Sequence, residues 1–311
     1  MKRVFRRAAP AVLATAAVAG LAAFGQAGAS LFSLQQSVTL PEVPAVRWPV
    51  GSGGGARPTL TRTPDELDRL QATFRPDPNA VELPLDYENL PYDDRFVFVR
   101  IRFEPPTYRR TRSQYWGLDL KWNHDYPWGE QNFTRILAEY TSIEMHVGGG
   151  SIRSLNEAEL FRRPFAYLCE PGFWFPSDQE AENLRAWLLK GGFLVVDDFF
   201  RPRALGNFLA QMDRVLPGYD AVRLDATHPI FDAFFHIETL AFEHPGLPDL
   251  SPVYYGYFEN NDPSGRLIVI ANYNHDVGDY WEWSGNDFWP VALTNEAFKL
   301  GVNYVIYGMT H

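Results

Sequence analysis

From Arg95 onward, short apolar runs alternate with stretches whose apolar residues recur at helical spacing. Residues 96–103 are β-branched and aromatic and predict a first strand. Over 130–141, Phe133, Ile136, Leu137 and Tyr140 share one face of a predicted helix. Strands are expected at 143–147, ended by Gly148-Gly149-Gly150, and at 165–169, ended by Glu170-Pro171-Gly172. Ser177 and Glu180 have capping-box spacing before a helix that buries Ala181, Leu184 and Leu188. Lys190-Gly191 closes that helix with a cation and a glycine. The stretch from Gly191 to Asp198 then reads as a helix stop, a buried strand and two adjacent carboxylates. A helix over 203–216, short strands at 222–224 and 254–258, a stronger strand at 267–272 and a final helix over 294–307 complete the pattern.

Strands alternating with helices of this length imply a mainly parallel sheet covered by helices on both faces. The expected fold is α/β and flavodoxin-like, with one domain over 95–311. Ligands of such sheets bind outside the carboxyl ends of the strands, where Asp197 and Asp198 fall; Glu104 and Glu170 follow two other strands. Residues 30–94 differ, with nine prolines and a Gly51-Ser52-Gly53-Gly54-Gly55 run. They read as an arm or linker with one short helix beginning at Thr63-Pro64-Asp65-Glu66.

Residues 1–29 read as an export signal: Lys2, Arg3, Arg6 and Arg7, an Ala-rich apolar segment, then Ala27-Gly28-Ala29 as the cleavage site. The surroundings of Arg6-Arg7 favour the general secretory route over the twin-arginine route. The expected location is periplasmic or otherwise extracytoplasmic, with membrane attachment only through an uncleaved signal. The whole chain carries a formal charge of −10. Without its first 29 residues it holds 24 basic and 38 acidic residues, a charge of −14. That balance disfavours nucleic acid and anionic membranes as partners. Arg109, Arg110 and Arg112, beside Tyr108, Tyr115 and Trp116, form too small a basic group to alter this and read as a solvated loop. Cys169 is the single cysteine, so no internal disulfide forms.

An ordered set of short motifs points to a family. Asp125-Tyr126-Pro127 with Asn132-Phe133, Gly191-Gly192-Phe193-Leu194 with Asp197-Asp198, and His228-Pro229-Ile230-Phe231 come first. Asn274-His275-Asp276-Val277-Gly278-Asp279 with Trp281, and Gly301-Val302-Asn303, follow. Together they resemble the bacterial domain of unknown function family 4159. The resemblance implies a fold like the class I glutamine amidotransferases and the company of MoxR-type ATPases and Bat-type von Willebrand proteins of the cell envelope. It carries no established activity.

Several chemistries can be weighed. An amidotransferase reading makes Cys169 the nucleophile, with His236 and Glu238 as its partners. The glycines of a nucleophile elbow are missing around Cys169, so a buried strand thiol is expected instead. Asn123-His124-Asp125 and Asn274-His275-Asp276 repeat one tripeptide, each followed by aromatics. If both loops reach the strand end, Asp125, Tyr126, Asp197, Asp198, Asn274, Asp276 and Trp281 make a ligand site suited to a hard cation such as Ca²⁺ or Mg²⁺, or to a glycan. The alternative is turn-forming Asn and Asp with core aromatics. Strand alternation sends Asp197 and Asp198 to opposite sides, so one is expected to cap a turn and the other to face the crevice. No zinc motif, phosphate loop or Gly-x-Ser-x-Gly elbow is present, and no cofactor beyond a possible divalent cation is expected. His228, before Pro229, is expected to cap a turn. The expected function is binding of a ligand or partner in the envelope. The alternatives are an acidic-site, metal-assisted hydrolase of a glycan or peptide and, lower, a degenerate amidotransferase.

Overall fold

The computed structural model describes residues 89–105, 111–113, 117–242, 244–286 and 288–311. The expected export signal, most of the arm with its short helix, and most of the arginine loop lie outside these residues. Nine strands are described: β1 (Phe96–Arg102), β2 (Thr111–Ser113), β3 (Gly117–Asp119), β4 (Met145–Ser154), β5 (Phe165–Cys169), β6 (Phe193–Phe199), β7 (Val222–Leu224), β8 (Val253–Phe258) and β9 (Leu267–Tyr273). Five α-helices accompany them: α1 (Trp128–Tyr140), α2 (Asp178–Leu189), α3 (Arg201–Val215), α4 (Val277–Glu282) and α5 (Val291–Thr310).

The main sheet has seven strands in the order β4-β1-β5-β6-β9-β8-β7, while β2 and β3 form a separate antiparallel pair. Strands β4, β1, β5, β6 and β9 run parallel. Numbered among themselves they give the flavodoxin-like order 2-1-3-4-5. Strands β8 and β7 extend that sheet antiparallel beyond β9. The chain moves outward from β1 to β4 and then returns to the other side of β1, so the switch point lies between β1 and β5.

Each face of the sheet has its own apolar layer. Val99, Leu168, Leu194 and Val196 meet Leu184 and Trp187 of α2 and Phe208 and Met212 of α3. Phe98, Tyr167, Phe193 and Ile270 meet Phe133 and Leu137 of α1 and Val302 and Val305 of α5. Strands buried on both faces explain the uninterrupted apolar runs. The capping box forms as its spacing requires, with Ser177 Oγ accepting from Glu180 N at 3.2 Å and Glu180 Oε2 accepting from Ser177 N at 2.8 Å.

The three glycines expected to end the second strand lie inside β4. Gly148 has φ +80°, and β1 and β4 slip register between Phe96 and Phe98. A Cβ at Gly150 would come within 2.7 Å of the Phe98 carbonyl oxygen, so glycine lets the edge strand approach through the irregularity. The end of the Pro-rich segment lies along this strand. Asn89 Oδ1 accepts from Ile152 N at 2.7 Å, Leu90 N donates to Ser151 Oγ at 3.1 Å, and the Arg163 guanidinium lies 5.0 Å from the centre of the Tyr92 ring.

Candidate cation site at the sheet switch point

The carboxyl ends of β1, β5, β6 and β9 deliver acidic residues to one crevice. The β1-to-α1 connection brings Asp119, His124 and Asp125, and Glu170 follows β5. Asp198 sits at the end of β6; Asp276, Asp279 and Glu282 follow β9. Strand β6 continues through both aspartates to Phe199, with an irregular register against β9 between Val196 and Phe199 and a φ of 57° at Asp198. This local twist separates the two neighbouring carboxylates.

Asp197 is fully buried. Its Oδ2 accepts from Tyr167 Oη at 2.8 Å, Val277 N at 2.8 Å and Gly278 N at 2.9 Å, and its Oδ1 from Asn272 Nδ2 at 2.9 Å. Burial outweighs these bonds and pushes its pKa up to about 6. With its oxygens occupied, Asp197 ties the start of α4 to β5 and β9 and offers no ligand atom to the crevice. Asp198 faces the other way, its Oδ2 3.0 Å from His124 Nδ1. The expected division between a structural and a crevice-facing aspartate is thus observed, with Asp198 as the one facing the crevice.

Both Asn-His-Asp loops arrive beside Asp198. Ligand-capable oxygens of Asp125, Asp198 and Asp276 lie within 4.8 Å of one another. The asparagines brace the two loops through different partners. Asn123 Oδ1 accepts from Leu120 N at 2.8 Å, and Asn274 Oδ1 accepts from Arg201 N at 2.9 Å while its amide nitrogen donates to Ser251 O at 3.3 Å. Asn274 is therefore a loop clamp, not a ligand group. The asparagines fix the turns, and the aspartates enter the cluster.

The histidines diverge. His124 lies between Asp198 and Asp119, with its Nε2 3.2 Å from Asp119 Oδ1. Burial opposes its charge, but hydrogen bonds to those two carboxylates raise its pKa well above the usual histidine value. His275 packs among Phe242, Tyr254 and Tyr280, where burial lowers its pKa to about 3 and keeps it neutral.

Asp125 is the least compensated member. It is only 9% exposed, and its Oδ2 is buried without a hydrogen-bond partner. Burial, then the charges of Asp198 and Asp279, raise its pKa well above the ordinary carboxylate value. Asp276 is raised by burial and by Asp198 and Asp125, although its Oδ1 also accepts from Asp279 N at 2.9 Å. Burial and Asp198 push Asp279 up to about 7 and Glu170 up to about 8. For Glu170 these effects outweigh the nearby cations of His124 and Lys121.

The framework beneath is a buried ion pair. Arg100 of β1 bonds Glu130 of α1, and both side chains are 2% exposed. Arg100 Nη1 also donates to the carbonyls of Trp122 at 3.1 Å and His124 at 2.8 Å. Cys169 Sγ approaches the Lys121 and Trp122 carbonyls at 3.3 and 3.2 Å. Together Arg100 and Cys169 hold the loop that presents Asp125. Gly278 gives that loop its clearance, since a Cβ there would stand 2.4 Å from Asp125 Oδ2 and 2.6 Å from Tyr167 Oη.

The remaining candidates fall elsewhere. Cys169 is enclosed, and burial pushes its thiol well above the usual range. His236 is on the surface, 3.1 Å from Asp232, and Glu238 is exposed, so neither side chain is held against the sulfur. Trp281 is 2% exposed, stacks on Phe133 with ring centres 4.4 Å apart and donates from Nε1 to Ala297 O at 3.1 Å. It is core, not a ligand platform. Tyr126, next to Asp125, is 37% exposed, and Trp128 is 54% exposed at the start of α1. His228 caps a turn as expected, its Nδ1 accepting from Ile230 N at 3.2 Å.

Fold and site together define a flavodoxin-like α/β domain with an acidic crevice at its topological switch point. The family described as Domain of unknown function (DUF4159) matches residues 108–309, about two-thirds of the chain, and the chain belongs to it. A search of curated proteins found no match.

Proposed function

We propose that this domain binds a divalent cation, Mg²⁺ or Ca²⁺, through Asp125, Asp198 and Asp276, and through that cation a ligand or partner in the cell envelope. The observation that supports it is the unpartnered, buried Asp125 Oδ2 beside two further carboxylates whose oxygens lie within 4.8 Å. An all-oxygen set of this kind suits hard cations, and a bound ion would remove the repulsion that holds these groups away from their ordinary pKa values. The export signal read in the first 29 residues supports a location outside the cytoplasm. MoxR-type ATPases and Bat-type von Willebrand proteins are the proposed partners. The exposed rings of Tyr126 and Trp128 beside the acidic groups also suit a glycan, since carboxylates bond hydroxyls and aromatic faces cover apolar ring surface.

A second reading is a metal-assisted hydrolase. It is favoured by Glu170, pushed up to about 8 by burial and the Asp198 charge, which can hold a proton at neutral pH as a general acid requires. Thermal-shift and calorimetric titrations of Mg²⁺, Ca²⁺ and Mn²⁺ test the cation step, because an ion bound only by the folded state raises stability. Wild-type protein should bind and Asp125→Asn should lose at least tenfold in affinity. Equal titrations for the two would end the cation reading.

A further inference from the structure

We infer that the crevice is built for two divalent cations bridged by the Asp125 carboxylate, an inference that rests on the cation reading above. Two sets of carboxylates meet at Asp125. One is Asp125, Asp198 and Asp276, and the other is Asp125, Asp279 and Glu282; in each the candidate ligand atoms lie within 4.8 Å of one another. A carboxylate has two oxygens and can give one to each of two ions, the arrangement found where paired metal ions stand roughly 3.5–4 Å apart. Asp125 is positioned for that role by burial, by its unpartnered Oδ2 and by the missing side chain at Gly278, where a Cβ would stand 2.4 Å from that oxygen.

Charge decides between one ion and two. The two sets contain five distinct carboxylates. The nearest guanidinium, Arg100, is committed to Glu130. His124 already pairs with Asp198, so one divalent cation would leave two of those five formal charges uncompensated in a partly buried space, whereas two would leave none. A third group, His124 with Glu170 and Asp198, also has ligand spacing. It already carries positive charge: Lys121 Nζ is 3.9 Å from Glu170, and His124 Nδ1 is 3.0 Å from Asp198. The second ion therefore belongs with Asp279 and Glu282. Both ions would have all-oxygen protein ligands, which selects the Mg²⁺, Mn²⁺ and Ca²⁺ class. Their open positions would give an oxyanion two adjacent points of attachment.

Manganese reports both number and proximity. The full chain titrated with MnCl₂ should bind two ions in calorimetry, and its electron paramagnetic resonance spectrum should show exchange coupling between them. Asp279→Asn with Glu282→Gln should leave one ion and an uncoupled spectrum, with circular dichroism confirming the fold. Glu282→Gln alone should weaken the second ion at least tenfold and the first less than threefold. A single ion in wild type, unaffected by these substitutions, or two ions without coupling, overturns the bridged pair and leaves the cation reading intact. No manganese binding by wild-type protein defeats both.

Discussion

Removing the Asp197 carboxylate should damage the fold before it damages the site chemistry. Asp197→Ala deprives four donors of their acceptor: Tyr167 Oη, Asn272 Nδ2, Val277 N and Gly278 N. At roughly 1.5–2 kcal/mol for each bond to a charged group, the gross loss is about 6–8 kcal/mol. Against this, burial disfavours the charged carboxylate and raises Asp197 from 3.8 to about 6 even with these bonds in place, so only part of that gross loss is realised. The net destabilisation is about 3–5 kcal/mol, or roughly 10 °C in Tm for a domain of this size. Asp197→Asn should cost only about 1 kcal/mol, because the network can reverse. Its oxygen can serve Tyr167, Val277 and Gly278 while its amide donates to a flipped Asn272. The flipped amide in turn donates to Tyr304 Oη, which now donates to Asn272 Oδ1 at 2.9 Å. Urea and thermal unfolding of both variants measure the difference. An Asp197→Ala protein within 1 kcal/mol of wild type, folded but unable to bind cation, would refute this division of labour.

Other consequences are equally direct. Gly278→Ala should abolish cation binding through displacement of Asp125, at a cost of about 1–3 kcal/mol of stability, read by calorimetry beside thermal melts. Arg100→Met strands Glu130 in the core and should cost about 3–5 kcal/mol in urea unfolding. Cys169→Ser should leave cation affinity within about twofold, since a hydroxyl can donate to the same loop carbonyls; loss of a measured amidase activity in that variant would restore the nucleophile reading. Stability should also depend on pH in two opposed ways. Glu170, Asp279 and Asp197, raised to about 8, 7 and 6, contribute stability that is complete below their unfolded values and lost as pH rises through the folded ones. His228 and His275, both lowered to about 3, contribute stability that is complete above their unfolded value and lost as pH falls toward 3. Saturating Mg²⁺ holds ligand carboxylates deprotonated, so it should move the stability optimum upward in melts across roughly pH 4–9.

Much of this architecture is legible along the chain. Apolar runs and helical spacing define the sheet, the capping box starts α2, and the paired Asn-His-Asp tripeptides mark the two loops that meet Asp198. What escapes is set by three-dimensional context. Strand alternation cannot reveal that Arg100 lies in the core, because its partner Glu130 comes from another element. Asp279 and Glu282 reach the crevice only because the six-residue α4 packs against α1 and β6. Trp281 looks like a ligand platform in sequence, but the same short helix turns it onto Phe133. The β4 glycines resemble a strand end because the register slip that they accommodate requires a partner strand.

Asp125, Asp198 and Asp276 should together hold a divalent cation. Isothermal titration of Mg²⁺ into wild-type protein and into Asp125→Asn, at matched pH and ionic strength, tests it most directly. Wild type should bind saturably and the variant should lose at least tenfold in affinity, with both proteins equally folded. Binding that is absent from wild type, or identical in the variant, would contradict it.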